Sequence, residues 1–252
     1  MATLISKGHY DELWFGLADR HNAFNDEELA SLANCLATAK QQPKPLLMRS
    51  EGPTFCAGAD LHWMRAQGLG DTTSNYNDAK QLADVLEAID QYPALVIARV
   101  QGPAYGGGVG LMACADIALA TEDSFAQLSE VKLGIIPATI GPYVQRAIGA
   151  RHARRYFVTA ERISAERAMA LGLIHECFAD EHALDEGIER LISMLMFNGP
   201  EAMIEAKSLA RDAHTLSPSQ TAERIANRRA SEEAIAGISA FLERRSPPWS
   251  SQ

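Results

Sequence analysis

The sequence predicts an α/β protein with largely parallel strands, followed by a helical C-terminal region. In the first half of the chain, short apolar runs alternate with longer segments whose apolar residues recur at helical spacing. Such alternation is typical of parallel sheets joined by right-handed crossovers. After about residue 180 only helical patterns remain. We therefore expect a core over residues 1–190 and a helical region over residues 191–252.

The expected elements follow in order along the chain. Apolar runs predict strands at residues 3–6, 13–17, 46–48, 95–100 and 116–120. Helical spacing predicts helices at residues 26–40 and 80–92, and a short one ending near Ala113. Residues 66–77 are polar and lack periodicity, which favours a mobile loop. A tolerated surface insertion is the simpler interpretation of that stretch.

The helical region has recognisable start signals. An apolar stripe from Leu184 to Leu195 predicts one helix, and Gly199–Pro200 predicts the start of another with proline at its first position. Residues 217–220, Ser-Pro-Ser-Gln, form a capping box that opens a further long helix.

Composition and charge narrow the range of functions. The chain has 252 residues and a formal net charge of −9, which argues against general nucleic-acid binding. No apolar run is long enough to span a bilayer and no secretory signal is evident, so we expect a cytoplasmic protein without a membrane partner. The four cysteines and seven histidines lack metal-site spacing, and no metal is expected. Cys56 is interpreted as a small buried residue.

Two glycine-containing segments are the most informative features. QGPAYGGGVG at residues 101–110 and FCAGADLHWM at residues 55–64 each follow a predicted strand and precede residues able to start a helix. A helix start presents unpaired N–H groups and the positive end of the helix dipole. Two such turns could aim two N–H groups at one carbonyl oxygen, as acyl chemistry requires.

Nucleotide-binding loops are a weaker interpretation of the glycines. No lysine follows them as a P-loop needs, and the sixth position of GxGxxG is Leu111 or Ala113. A purely structural tight turn remains as the other alternative.

Together the two segments resemble the signature regions of the crotonase superfamily, the enoyl-CoA hydratases and isomerases. A third segment, FAQLSEVKLGIIPATIGPYVQRAIG at residues 125–149, is similar to that family's catalytic-acid region. The resemblance implies a crotonase (ClpP-like) ββα spiral core with a C-terminal helical trimerisation region. It also implies N–H donors at Ala59 and Gly107 and a catalytic carboxylate at Glu130.

Glu130 also draws attention by its surroundings. It lies among apolar residues, and desolvation there would raise its pKa, which suits a group that both takes and gives a proton. Pairing with Lys132, or exposure at a strand end, are the alternatives.

Gly110 departs from the family pattern. In the two-glutamate hydratases of this family a glutamate occupies the position that corresponds to Gly110, so one carboxylate is missing here. The segments look closest to bacterial methylglutaconyl-CoA and isohexenylglutaconyl-CoA hydratases. We therefore expect hydration of a branched or carboxylated 2-enoyl-CoA, with space beside Gly110 for a bulky acyl group. A Δ3,Δ2-enoyl-CoA isomerase is the alternative, and a CoA-ester-binding or RNA-binding homologue with weak catalysis is ranked lower.

The resemblance further implies how the substrate is held. It places CoA along Ala57, Ala59, Asp60, Leu61, His62 and Gly107, with Arg244 and Arg245 as candidate phosphate contacts. No separate cofactor is expected, because CoA arrives as part of the acyl-CoA thioester. The implied assembly is a homotrimer or a dimer of trimers.

Overall fold

The computed structural model describes residues 1–251, which form nine strands and ten α-helices. The strands are β1 (Thr3–Ser6), β2 (Asp11–Trp14), β3 (Leu46–Arg49), β4 (Val96–Val100), β5 (Ala104–Tyr105), β6 (Ile117–Thr121), β7 (Phe125–Gln127), β8 (Arg162–Ser164) and β9 (Glu176–Phe178). The helices are α1 (Asp26–Ala39), α2 (Leu61–Gly68), α3 (Thr72–Asp90), α4 (Gly107–Cys114), α5 (Gly141–Thr159), α6 (Ala165–Leu171), α7 (Glu181–Leu195), α8 (Pro200–Asp212), α9 (Pro218–Arg229) and α10 (Glu232–Leu242).

The strands form two sheets that wind along the chain as a spiral. The larger sheet has the order β1-β2-β3-β4-β6-β9 and is parallel except for the β1–β2 pair. The smaller sheet has the order β5-β7-β8. Parallel bridges of Cys56 to Ala104 and of Phe24 to Ala59 continue the smaller sheet into the preceding turns. Successive turns therefore add a strand to the larger sheet and a shorter extended stretch beside it, as the predicted ββα spiral requires.

Most predicted strands are found within one or two residues of their expected bounds. The second one differs, because β2 begins at Asp11 instead of residue 13. Asp11 and Glu12 are only 6% and 5% exposed, and Glu12 pairs with Arg49 at 3.3 Å. The neighbouring strand thus supplies the charge that lets an acidic residue lie inside the sheet.

The prediction of a mobile loop at residues 66–77 is wrong. Helix α2 ends at Gly68 and α3 begins at Thr72, so only Leu69–Asp71 separate them. The side chain of Asp71 accepts a hydrogen bond of 2.7 Å from the Ser74 N–H and thereby caps α3. The cap lets a polar sequence without an apolar stripe begin a helix about two turns earlier than its periodicity indicates.

The larger sheet is covered on both faces, as a parallel sheet normally is. One face packs with α1, α3 and α4 in the main hydrophobic core. On the other face, Leu47, Ile97 and Leu119 contact Leu184 and Ile188 of α7. Helix α7 extends past residue 190 to Leu195 along that face. The division of the chain after residue 190 stays a prediction.

The start signals of the last helices are confirmed. Pro200 is the first residue of α8, and the side chains of Ser217 and Gln220 form the capping box of α9. The predicted long final helix is interrupted between Arg229 and Glu232, where α10 begins. Across residues 1–251, none of the helices combines the length and the apolar character that a membrane span requires.

Candidate active site

The first predicted N–H donor, Ala59, is held by backbone pairing with Phe24. The Phe24 N–H donates to the Gly58 carbonyl at 2.9 Å, and the Asp60 N–H donates to the Phe24 carbonyl at 2.8 Å. Since successive N–H groups of an extended chain point to opposite sides, the Ala59 N–H points away from Phe24. That N–H donates to no other group within residues 1–251.

The second predicted donor, Gly107, is the first residue of α4. Its N–H is one of the amides that a helix leaves unpaired at its start, and within the described chain it donates to no other group. Gly106 turns the chain into the helix with φ of +47°. A Cβ placed on Gly58 would lie 3.4 Å from the Gly107 nitrogen. The two donor segments therefore lie side by side.

Glu130 faces the same turn from a different element. It begins a short 3-10 helix, Glu130–Leu133, which two residues separate from the end of β7. A Cβ placed on Gly106 would lie 3.2 Å from Oε1 of Glu130. The structure thus brings Glu130 next to the peptide that carries the Gly107 N–H, as predicted from three segments distant in sequence.

The environment of Glu130 suits proton transfer. The residue is half-buried, and its buried Oε2 has no hydrogen-bond partner within residues 1–251. Burial raises the pKa of this carboxyl above its ordinary value. The alternative of a pair with Lys132 is not found in the described chain, where Lys132 is exposed. A carboxylate with a raised pKa and a free oxygen can accept a proton and return it.

The expectation of open space beside Gly110 is wrong. A Cβ placed on Gly110 would lie 2.3 Å from Cγ2 of Ile140 and 3.3 Å from Cδ2 of Leu86. Ile140, which directly precedes α5, is 1% exposed. Its side chain fills the volume that a side chain at position 110 would need. The sequence shows that a side chain is missing at Gly110, but not that a neighbour has taken its place.

The predicted CoA-binding segment runs from the interior to the surface. The Ala57 N–H donates to the His21 carbonyl at 3.0 Å. The Asp60 side chain accepts from the N–H groups of Trp63 and His62, which cap α2 and lower the pKa of this carboxyl. Leu61 and His62 follow on the exposed first turn of α2. One side of this segment is thus accessible to a ligand.

Other predicted residues have simpler surroundings. Arg244 and Arg245 are exposed just beyond α10, and Arg245 Nε donates to Glu243 at 2.6 Å. Cys56 is confirmed as a small buried residue, and burial raises the pKa of its thiol to about 12. Within residues 1–251, no group of three or more His, Cys, Asp or Glu side chains could hold a metal ion.

Two residues behind the donor segment were not predicted from the sequence. Asn22 is 1% exposed and donates from Nδ2 to the carbonyls of Glu51 and Thr54, each at 2.7 Å. It thereby fixes the chain that leads into the first donor segment. Phe24 is the other, through the backbone pairing with Gly58 and Asp60. The run HNAFND at residues 21–26 contained the only signal, a polar asparagine beside an apolar residue ahead of a helix.

Comparisons with known proteins show what the chain as a whole is similar to. The family described as Enoyl-CoA hydratase/isomerase matches residues 15–252. A curated relative, the enoyl-CoA hydratase AKT6-1 of Alternaria alternata, is 37% identical over 170 residues, which is 66% of this chain. The chain spans 54% of the length of that relative.

Solved structures resemble the chain over almost its whole length. An enoyl-CoA hydratase of Shewanella pealeana is 40% identical with a TM-score of 0.92, and the match covers 98% of this chain and 95% of the other. A Legionella pneumophila protein, provisionally described as an enoyl-CoA hydratase/isomerase (crotonase), is 35% identical with a TM-score of 0.93 and 98% coverage of both chains. These similarities confirm the predicted fold class.

Proposed function

Because the chain belongs to the enoyl-CoA hydratase/isomerase family, we propose that Glu130 transfers protons on the acyl group of an enoyl-CoA thioester. The observation that supports this most is the placement of Glu130. Its carboxylate has a buried oxygen without a partner, and it adjoins the turn that begins α4. A carboxylate held in this way needs a ligand or a reacting group to complete its hydrogen bonding.

The N–H groups of Ala59 and Gly107 are the proposed binding site of the thioester oxygen. Both are free of other hydrogen bonds in the described chain and lie in adjoining segments. When a proton or water adds to the neighbouring carbons, negative charge develops on this oxygen as an enolate. Fixed donors aimed at that charge stabilise it without reorganising, which is commonly the largest contribution to such catalysis.

The first candidate reaction is hydration of a 2-enoyl-CoA. Glu130 takes one proton from water as the water oxygen bonds to the β-carbon, and the double-bond electrons move through the α-carbon onto the thioester oxygen. The resulting enolate then takes the same proton from Glu130 at its α-carbon. One water is consumed, H and OH are added, and Glu130 returns to its ionised form.

The second candidate is migration of the double bond, and a specific observation favours it. The space beside Gly110 is filled by Ile140 and Leu86, which are apolar and cannot hold a water molecule by hydrogen bonds. In this reaction Glu130 removes a proton from the α-carbon of a 3-enoyl-CoA. It then returns that proton to the γ-carbon of the dienolate, and no water is consumed.

The proposal of a branched or carboxylated acyl group now rests on the likeness of the sequence segments alone. The supposed space at Gly110 no longer supports it, because Ile140 occupies that space. The lower-ranked alternative is a CoA-ester-binding or RNA-binding homologue with weak catalysis. The unpartnered carboxylate of Glu130 argues against it, because a protein that only binds has no use for such a group.

The remaining parts of the proposal concern the segment that binds CoA, the oligomeric state and the location in the cell. We propose that CoA, as part of the substrate, lies along residues 57–62, where the chain reaches the surface at α2. No separate cofactor is proposed. A homotrimer or dimer of trimers is proposed from the exposed apolar residues of α9 and α10, and a cytoplasmic location from the sequence.

A panel of CoA esters tests the reaction. The full chain is incubated with crotonyl-CoA, a β-methyl 2-enoyl-CoA, a 2-enoyl-CoA bearing a distal carboxylate, and a 3-enoyl-CoA, in H₂¹⁸O or D₂O. Hydration adds one labelled oxygen, which mass spectrometry detects, whereas migration adds none and moves the vinyl signals in NMR. The proposed function would be contradicted if the protein catalysed neither reaction and also exchanged no deuterium at the α-carbon of any ester.

A further inference from the structure

Phe24 contacts both proposed N–H donors, one with its backbone and one with its ring. Its N–H and carbonyl bond the residues on either side of Ala59, at 2.9 and 2.8 Å. These two bonds fix the direction in which the Ala59 N–H points. The position of the first donor is therefore set by the backbone of residue 24.

The ring of Phe24 reaches the second donor. A Cβ placed on Gly107 would lie 2.4 Å from Cζ and 2.9 Å from Cε1 of Phe24. On the same side, Cδ2 of Leu82 would lie 3.7 Å away. The ring therefore packs against the α-carbon of Gly107 so closely that only glycine fits there.

Phe24 is itself held firmly. It is 5% exposed and belongs to the main hydrophobic core. Two residues before it, Asn22 is anchored by two hydrogen bonds of 2.7 Å to the chain leading into the first donor segment. The Phe24 ring consequently has little freedom to move relative to its own backbone, which pairs with the residues on either side of Ala59.

We propose that Phe24 is a positioning residue that sets the spacing of the Ala59 and Gly107 N–H groups. This rests on the proposed function of those groups as donors to the thioester oxygen. Without the ring, α4 can shift towards the space it leaves, and the two donors no longer converge on one oxygen. A displacement of about 1 Å in such a site costs on the order of 10²-fold in rate.

The chain offers a matched control, Phe178. A Cβ placed on Gly187 would lie 2.3 Å from Cζ of Phe178, so the same kind of ring-on-glycine contact joins β9 to α7. Phe178 packs against the second core cluster and not the main one. Replacing either ring opens a ring-on-glycine contact, although Phe24 is buried and Phe178 only half-buried, and only Phe24 adjoins the donors.

The first measurement compares Phe24→Ala with Phe178→Ala on the best substrate of the panel. We expect both variants to unfold at lower temperature, and only Phe24→Ala to lose kcat, by ~10²-fold. Phe24→Leu is the second variant, because leucine keeps the core filled while lacking the ring atom Cζ. Values of kcat for Phe24→Ala and Phe24→Leu within about threefold of the Phe178→Ala value would overturn the proposal.

The second measurement reports on the donors themselves. Bound 2,4-hexadienoyl-CoA absorbs at longer wavelength when hydrogen bonds polarise its thioester carbonyl, and a Glu130→Gln background prevents its consumption. We expect this shift with Phe178→Ala and its loss with Phe24→Ala at saturating ligand. A full shift in the Phe24 variants contradicts the positioning role. A shift missing even in the Glu130→Gln parent contradicts the proposed donors instead, so the two failures are distinguishable.

Discussion

In the spiral core the site is bounded by close packing, whereas the helical C-terminal region is joined to it by charged groups as well as by apolar side chains such as Ile204. Around α4, the rings and methyl groups of Phe24 and Ile140 leave no room for a Cβ on Gly107 or Gly110. By contrast, Lys207 of α8 reaches Asp116 at 2.6 Å and the Ala94 carbonyl at 2.7 Å.

The last three helices hold each other in the same polar way. Arg228 of α9 pairs with Glu201 and Glu205 of α8, at 3.1 and 3.0 Å, and with Glu233 of α10 at 2.6 Å. Many of their apolar side chains are nevertheless exposed. Exposed ones occur along α9 and α10: Ile225, Ile235, Ile238, Phe241 and Leu242. Among α8 and α9, all of whose residues are described, no apolar residue is buried.

This contrast in packing indicates that the core is held by its own contacts, whereas the last helices need a further surface to cover their apolar side chains. In the core, the proposed donors and the carboxylate are each held by contacts within residues 1–190. The last helices present apolar area that the rest of the chain does not cover. Apolar stripes of this kind on paired helices favour contact with another copy of the chain.

The largest expected effect separates chemistry from structure in the core. Glu130→Gln keeps the shape of the side chain but removes the base, so we expect kcat to fall by ~10²-fold or more. The affinity for the substrate and the molar mass of the assembled protein should not change. Steady-state kinetics with calorimetric binding checks this, and near-normal turnover would show that another group carries the proton.

The next effect tests how tightly the core is filled at Gly110. Gly110→Ala puts a methyl group within 2.3 Å of Cγ2 of Ile140. We expect a loss of ~1–3 kcal/mol in the free energy of unfolding, as is usual for overpacking. In an Ile140→Ala background the same change should cost less, because that methyl group is gone.

The control is Gly68→Ala in α2, where a Cβ would meet nothing within 4 Å. That change should be neutral or stabilising, since alanine favours a helix by up to ~1 kcal/mol over glycine. Equal costs of Gly110→Ala with and without Ile140, measured by denaturant unfolding, would contradict the contact. The double variant Gly110→Glu with Ile140→Ala then provides a second carboxylate, and crotonyl-CoA hydration reports whether it assists water addition.

The apolar runs of the sequence were sufficient to predict β1, β2, β3, β4 and β6, but not the short strands β5, β7, β8 and β9. Glycines, caps and apolar runs are local signals that marked the two glycine segments. The family resemblance then indicated Ala59, Gly107 and Glu130, in segments that the fold brings together. Whether these residues act as proposed stays a prediction. Start signals such as the Ser217 capping box worked for the same reason, since the cap and the helix are adjacent in sequence.

Contacts between distant segments could not be predicted in this way. The packing of Ile140 on Gly110 and of Phe24 on Gly107 depends on how α4 sits against α5 and the first turn of the spiral. Periodicity does not contain that information. The helical start at Asp71 was missed because one hydrogen-bonded cap outweighs a polar composition.

A smaller effect on activity is expected from the apolar surface of the last helix. Ile238→Asp and Phe241→Asp place charge on side chains that are 52% and 84% exposed in the single chain. If this surface joins copies of the chain, the molar mass measured by light scattering at micromolar concentration should fall from that of about three or six chains towards that of one. Val158→Asp, at a position that is 74% exposed on α5, serves as the control. A wild type that is monomeric and fully active would refute the proposed assembly.

The smallest expected effect is the dependence of stability on pH at Glu130. Burial raises the folded-state pKa of this carboxyl, so its protonated form is the one that folding favours. Stability from such a group is present below its unfolded pKa and is lost as the pH rises through the folded pKa. Glu130→Gln should therefore be more stable than the wild type at neutral pH, and the difference should shrink towards acid.

Asp185 provides the opposite case. Hydrogen bonds from Arg99 lower the pKa of its carboxyl, so its contribution is present at neutral pH and is lost as the pH falls through the folded pKa. Asp185→Asn should consequently destabilise the chain at neutral pH and less so in acid. Denaturant unfolding of both variants measures whether each one is more or less stable than the wild type. A range of roughly pH 4–8 is used, because raised and lowered carboxyl pKa values titrate apart there. If Glu130→Gln were the less stable protein at neutral pH, the carboxylate would have a partner that favours its charge. It would then be a structural group and not the free base that the proposed reaction requires.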